Sequence, residues 1–332
     1  MTTRRRQHVL TGAAALGGLL LFAFAVRSAG VDAIVGGVRR VGWGLVAILA
    51  LAGLRFVLRA ESWRLCMPPS VRLPLGRAFA AFLAGDALGN VTPLGMLASE
   101  PAKVFLTRHR LATRESVASL AVDNLVYAGS ALAMVAVGVG VALATVPLPV
   151  AWRESALGVL VLLAAGTAAG VWLLRGTWHD GRGERPAWRQ KLAGVRASVR
   201  SFAAEQPGRL WRVFAIDLGF HVLAIIEVFV VLGWLLGDRR PTLAQAVVFE
   251  ALNRVVTMAF KFVPFRVGVD EALTGAVAPV LTVDPAAGVA LAVIRKARNL
   301  FWTAVGLAFI GAHPVRFAPA TDLPGSASER RP

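Results

Sequence analysis

Apolar residues gather along the chain into blocks long enough to cross a bilayer, and charges collect mainly in the gaps between them. The first block, Val9 to Val26, runs 18 residues without a charge, which at about 1.5 Å per residue reaches roughly 27 Å, close to the hydrocarbon thickness. Arg4, Arg5 and Arg6 precede it and small residues lie near Ala23 and Ala25, as in a cleavable signal, but its apolar part is too long for one. The pattern therefore predicts a retained first helix. Further crossings are predicted at Val41 to Leu58, interrupted by Arg55, and at Val117 to Val146, Ser155 to Leu174, Val213 to Leu236 and Ala286 to Ala312. The fold class is thus all-α, a polytopic integral membrane protein with six full crossings.

Two other apolar stretches, Ala78 to Leu97 and Leu243 to Pro264, are broken by Gly, Pro and polar residues near where a midplane would fall. They read as re-entrant units, with Pro93 and Pro264 as the helix breaks. With the N-terminus inside, most of the 36 Lys and Arg residues fall on the cytoplasmic side, as the positive-inside rule asks. That orientation holds only if both broken stretches return to their own side. Arg55, Arg59 and Arg64 are counted here with the cytoplasmic group. The units would then be inverted copies, roughly 78–146 and 243–312. At an offset of 171, Pro93 and Glu100 fall on Pro264 and Glu271, and Leu120-Ala121-Val122 on Leu291-Ala292-Val293 (264 − 93 and 291 − 120).

Residues 1–313 read as one membrane domain. A basic cytoplasmic loop over 175–212 is either a solvated orientation signal or a short amphipathic helix carrying Trp188, Leu192, Val195, Val199 and Phe202. Residues 314–332, rich in Pro, Ser and Ala, read as a disordered tail. Both termini are expected in the cytoplasm, and the cell membrane is the expected location.

Composition narrows the function classes. Hydrophobic residues make up 56% of the chain and the mean hydropathy is +0.64, which favours lipid as the solvent. The net charge of +17 reads first as topology signal and contact with anionic lipid rather than nucleic acid. Cys66 is the single cysteine, so neither an internal disulfide nor a cysteine-built metal site is expected, and no cofactor is predicted. No nucleophile elbow, phosphate loop or zinc-protease helix occurs, and the case for an enzyme is weak.

Charged side chains inside apolar spans are costly, by roughly 3 kcal/mol on insertion scales, and each calls for a partner or a function. Glu250, Arg254, Thr257 and Lys261 recur at helical spacing, with Asn253 beside them. An internal Glu250 to Arg254 pair accounts for part of that stripe, but not for Lys261. Arg295, Lys296, Arg298, Asn299 and Thr303 mark the last helix, with the three cations placed near its outer end. Guanidinium groups suit phosphate, whose oxygens they can take two at a time, so Arg254, Lys261, Arg266, Arg295 and Arg298 are candidates for holding an anionic head group. In the first half, Asp86 and Asn90 lie four apart before Pro93. Asp123, Asn124, Tyr127 and Ser130 line one side of the third crossing, with Asp123 hydrated or paired to Arg114 or Lys103. Asp86, Asn90, Glu100, Lys103, Asp123, Glu250, Asn253, Asp270 and Glu271 form the candidate polar cavity. Asp217 and His221 share a face of the fifth crossing as a proton relay, a metal pair or a hydrogen-bonded structural pair. Glu227 lies well round the helix from them.

The segment GNVTPLGMLASEPAKVFLTRHRLATRESVASLAVDNLV is similar to the first signature region of the lysylphosphatidylglycerol synthase transmembrane family, also described as flippase-like, with Asn90, Pro93, Gly95, Glu100, Lys103 and Asp123 at the matching positions. FKFVPFRVGVDEALTG resembles the second break through Pro264, Gly268, Asp270 and Glu271. It departs from the family by having Phe265-Arg266-Val267 where more glycine is usual and Asp270 where Arg is common. The resemblance covers the membrane part and not the soluble aminoacyl-transferase domain of the member that names the family. It implies translocation of an anionic lipid or lipid-linked group between leaflets, with membrane lipids as partners. Two rival readings are an accessory subunit or membrane-embedded transferase working with a glycosyltransferase or synthetase, and a non-transporting scaffold for envelope assembly.

Overall fold

The computed structural model describes residues 27, 31–71, 73–92, 96–175, 187–260 and 263–312. Among them the chain forms eleven α-helices and no strand. The first predicted helix, Pro93, Lys261 and the tail lie outside the described residues.

Helix α1 (Val31–Val41) begins with Asp32 and ends on Arg39 and Arg40, so its charges oppose its dipole at both ends. Gly42, at φ +44°, turns the chain as few other residues can, and α2 (Gly44–Leu65) leaves at 75° to the end of α1. Helix α3 (Leu75–Val91) stops at the first break and α4 (Met96–Thr107) runs back along it, with Gly85 against the Ser99 carbonyl and Lys103. Four longer elements follow: α5 (Thr113–Thr145), α6 (Val150–Arg175), α7 (Ala187–Glu205) and α8 (Pro207–Leu236).

Helix α9 (Leu243–Ala259) opens on a reciprocal cap. Gln245 N–H donates to Thr242 Oγ1 at 3.2 Å, and Thr242 N–H donates to Gln245 Oε1 at 2.8 Å. At the second break a 3-10 turn (Pro264–Arg266) leads to α10 (Val269–Val277), and a second one (Ala278–Leu281) leads to α11 (Pro285–Ala312). Phe265 and Arg266 both have left-handed backbone, at φ +50° and +49°. A glycine would enter that conformation freely, whereas these two residues are strained in it.

Length and composition alone mark α5, most of α6 and α8 as able to cross a membrane, with the bent α1 and α2 pair as a fourth. Helix α11, at 28 residues, is also long enough, but its three central cations lower its apolarity. Exposed tryptophans sit near both ends of the bundle: Trp43 and Trp152 where α2 and α6 begin, here called the upper end, and Trp172 and Trp211 at the lower end. Trp152 and Trp172 are 20 residues apart on α6 (172 − 152), about 30 Å, which matches two aromatic belts bracketing a hydrocarbon layer. The apolar window of α6 has no buried residue, so the helix faces lipid over most of its surface.

Two apolar clusters hold the bundle together. Ile48, Val228, Leu232, Phe249, Leu281, Leu291 and their neighbours fill the upper half. Ala60, Trp63, Met67, Leu73, Phe82, Leu111 and Leu120 fill the lower end. Helix α7 joins the fold through Val199 and Phe202, packed beside Cys66, Val122 and Val213, so this part of the basic loop is a docked helix.

Candidate functional site

Between the two apolar clusters lies a layer of buried charge, contributed by α2, α5, α8, α9 and α11. Arg55 on α2, Glu227 on α8, Arg254 on α9 and Arg295 on α11 each lie roughly three turns, about 15 Å, from the upper end of their helix. That depth is close to half a hydrocarbon core. The cations of the last helix, placed near its outer end by the sequence pattern, stand about three turns in, where Arg298 meets Glu227 on α8 and Arg295 meets Glu250 on α9.

In the upper tier, two glutamates each bridge two arginines. Glu227 accepts from Arg55 at 3.1 Å through one oxygen and from Arg298 through the other. Glu250 lies 2.6 Å from Arg254 and 3.4 Å from Arg295. Asn253 donates to Glu250 at 3.2 Å, and Arg254 donates to the Tyr127 hydroxyl at 2.8 Å. The predicted Glu250 to Arg254 pair is thus present, as one side of a triad. The ring of Phe220 lies between the two triads, 4.4 Å from the Arg55 guanidinium and 5.0 Å from that of Arg254. Arg298 also donates to Asn299 Oδ1 at 2.9 Å.

The lower tier reverses the charge ratio. Arg59 donates from Nη2 to Asp123 at 2.7 Å and from Nη1 to Asp217 at 2.6 Å, and Ser62 lies 2.9 Å and 3.2 Å from the same two carboxylates. Asp123 therefore pairs with Arg59 on α2, not with Arg114 or Lys103 as its place near the cytoplasmic end suggested. The charge count puts Arg55 and Arg59 on the cytoplasmic side, but both are buried: Arg55 within the predicted crossing, and Arg59 because α2 runs on past Leu58 to Leu65. The Arg59 guanidinium lies 4.1 Å from the Tyr127 ring, so its face is covered as well as its edge.

Helix α8 is packed by neighbours on several sides, so Asp217, His221 and Glu227 are all buried even though Glu227 lies round the helix from the other two. Asp217 and His221 do not pair directly. His221 Nε2 lies 3.2 Å from Ser130 Oγ, while Asp217 faces Arg59 and Ser62.

The remaining predicted residues gather at the two breaks. Lys103 pairs with Glu100 at 3.0 Å and lies 4.2 Å from the Phe82 ring. Asn90 Nδ2 donates to Asp86 at 3.0 Å and to Thr303 on α11 at 3.3 Å, tying the first break to the last helix. At the second break, Arg266 pairs with Asp270 at 3.3 Å. Glu271 accepts from the Gly268 N–H at 2.8 Å and from Lys296 at 2.5 Å, and Lys296 also donates to the Arg266 carbonyl at 3.3 Å. Lys296 is therefore a clamp on the strained turn. Pro264 opens that turn.

Spacing on single helices reveals Asp86 with Asn90 and Glu250 with Arg254, but not the central roles of Arg55, Arg59, Asp217 and Glu227. Arg55, Asp217 and Glu227 each show singly as a charge within an apolar span, whereas Arg59 falls just past the predicted end of the second crossing at Leu58. No group of three or more His, Cys, Asp or Glu side chains among the described residues is placed to hold a metal ion.

The family model described as the lysylphosphatidylglycerol synthase TM region matches residues 9–306. No curated protein and no solved structure matches the chain.

Proposed function

The chain belongs to the lysylphosphatidylglycerol synthase transmembrane-region family, and from that premise we propose that it translocates an anionic lipid or lipid-linked group between leaflets. One observation carries the reading: Glu227 and Glu250 each bridge two arginines, so each triad holds a surplus positive charge at mid-bundle depth. A buried surplus of this kind draws a counter-anion, and guanidinium forks fit phosphate oxygens two at a time. Arg254, Arg295 and Arg298, with Lys261 and Arg266, take the head group in this scheme. Asp86, Asn90, Glu100, Lys103, Asp123, Glu250, Asn253, Asp270 and Glu271 line the polar cavity in the same scheme.

The scheme uses six crossings and two re-entrant units arranged as an inverted repeat, with the lower end cytoplasmic. Reciprocal packing supports the repeat. Helices α3 and α9 are both 17 residues long, and each packs on the long helix of the other unit, α3 on α11 and α9 on α5. Close approaches within these two helix pairs correspond as well: a Cβ on Gly138 would lie 2.1 Å from Ala251 Cβ, and one on Gly306 would lie 2.6 Å from the Leu83 carbonyl. The same offset of 168 relates both partners (306 − 138 and 251 − 83).

The test is transfer of fluorescent phosphatidylglycerol across proteoliposomes carrying the purified chain, Arg298→Ala or Lys261→Ala. Transfer by the parent chain and its loss in both variants is the expected result. Unchanged rates in the variants would remove the head-group role.

A further inference from the structure

The lower tier holds two proton acceptors that have no proton to accept. Asp217 Oδ2 and His221 Nδ1 are buried and take no hydrogen bond among the described residues. Ser130 Oγ lies 2.9 Å from the Tyr127 carbonyl and 3.2 Å from His221 Nε2. When its single hydroxyl proton goes to the carbonyl, its oxygen accepts from Nε2–H, and in that tautomer Nδ1 presents a lone pair. Asp217 uses Oδ1 for Arg59 and Ser62, which leaves Oδ2 as a second buried lone-pair donor. The two residues stand one turn apart on α8 and face the same interior. A buried acceptor left without a donor is costly, so each atom has reason to gain a proton partner.

We propose that Asp217 and His221 form a proton-binding site that couples the chain to a transmembrane pH gradient. Hydronium gives up one O–H bond and leaves water, and one O–H bond forms at Asp217 Oδ2, one helical turn from the open Nδ1 of His221. The lower triad of Arg59, Asp123 and Asp217 then passes from a net charge of −1 to zero. Across the joined layer, five arginines (Arg55, Arg59, Arg254, Arg295, Arg298) face four carboxylates (Asp123, Asp217, Glu227, Glu250), so the proton raises the net charge from +1 to +2.

Charge added in a low-dielectric interior strengthens the hold on an anion, and linkage makes the effect reciprocal: the bound anion favours the proton equally. The groups facing the pair are consistent with this balance. Helix α2 brings Arg55 and Arg59, with Cys66 just past its end, α5 brings Asp123 and Tyr127, α9 brings Glu250 and Arg254, and α11 reaches α8 through Arg298 at Glu227. Helices α1 and α7 meet α8 through apolar residues such as Val41, Val199 and Phe202. The coupling to lipid movement rests on the translocation reading; the proton site does not.

Asp217→Asn tests both. Its amide keeps an acceptor for Arg59 and puts an N–H donor in place of Oδ2, so it imitates the protonated state. Potentiometric titration of the purified full chain should show about one proton fewer taken up by the variant between roughly pH 4 and pH 9. Infrared difference spectra of the parent chain, labelled with carbon-13 aspartate, should show a protonated-carboxyl band over the same range without recourse to any variant. Equal uptake, or no such band, overturns the site. In vesicles of phosphatidylethanolamine and phosphatidylglycerol, an imposed pH gradient should change the parent's rate of fluorescent phosphatidylglycerol transfer and leave the variant's rate unchanged. Transfer by the parent that ignores the gradient overturns the coupling. Absence of transfer in both chains overturns the translocation reading, and the titration still decides the proton site.

Discussion

Glu227 on α8 receives Arg298 from α11 on one carboxylate oxygen, which leaves its other oxygen for Arg55 on α2. A single carboxylate thus holds three helices to one point in the interior. Glu227→Gln strands two buried cations at once and should cost about 3–5 kcal/mol. Arg55→Gln leaves Glu227 still paired with Arg298 and should cost about 1–3 kcal/mol. Thermal unfolding in detergent micelles compares the two, and equal losses would contradict the shared-anion geometry.

Arg59 reaches Asp123 and Asp217 with different nitrogens of one guanidinium, at 2.7 Å and 2.6 Å. A lysine has one nitrogen on a flexible stem and cannot span both carboxylates in the same way. Arg59→Lys is expected to destabilise the chain by about 1–3 kcal/mol. The same change at the exposed Arg153 should stay within about 0.5 kcal/mol in the same unfolding assay.

Gly138 and Gly306 sit where helices of the two units cross most closely, with added Cβ atoms meeting neighbours at 2.1 Å and 2.6 Å. Gly138→Ala and Gly306→Ala should each destabilise by about 1–3 kcal/mol through forced separation of the helices. Gly140, two residues along α5 from Gly138, has open space around it. Gly140→Ala should be neutral or stabilise by up to about 1 kcal/mol. A similar loss at all three positions, including open Gly140, would overturn the close crossing as its cause.

Lys296 holds both Glu271 and the Arg266 carbonyl beside the left-handed turn at Phe265 and Arg266. Lys296→Gln removes the charge that secures this turn. Thiol labelling of a Phe265→Cys probe in a Cys66→Ser background should then accelerate about tenfold, the equivalent of roughly 1.4 kcal/mol of local opening. Labelling at the parent rate would assign the restraint to the Arg266 to Asp270 pair instead.

The glycine-rich stretch expected from the family at the second break has a structural counterpart here. Phe265 and Arg266 occupy the left-handed backbone that glycine takes without strain. Lys296, Glu271 and Asp270 surround this turn with polar contacts.

The sequence by itself determined the helical, membrane-embedded character, the two breaks, the Glu250 to Arg254 pair and the presence of charge within apolar spans. These depend on block length, helical spacing and breaking residues, all of which act over a few neighbouring positions. Tertiary structure alone decided the partners. Asp123 finds Arg59 across 64 residues, and Glu227 finds Arg298 across 71 and Arg55 across 172. A buried charge requires a countercharge, but any of several candidates satisfies that requirement until packing brings one within about 3 Å. Packing of α8 against several other helices also made Asp217, His221 and Glu227 interior together, although the helical wheel set them on different faces.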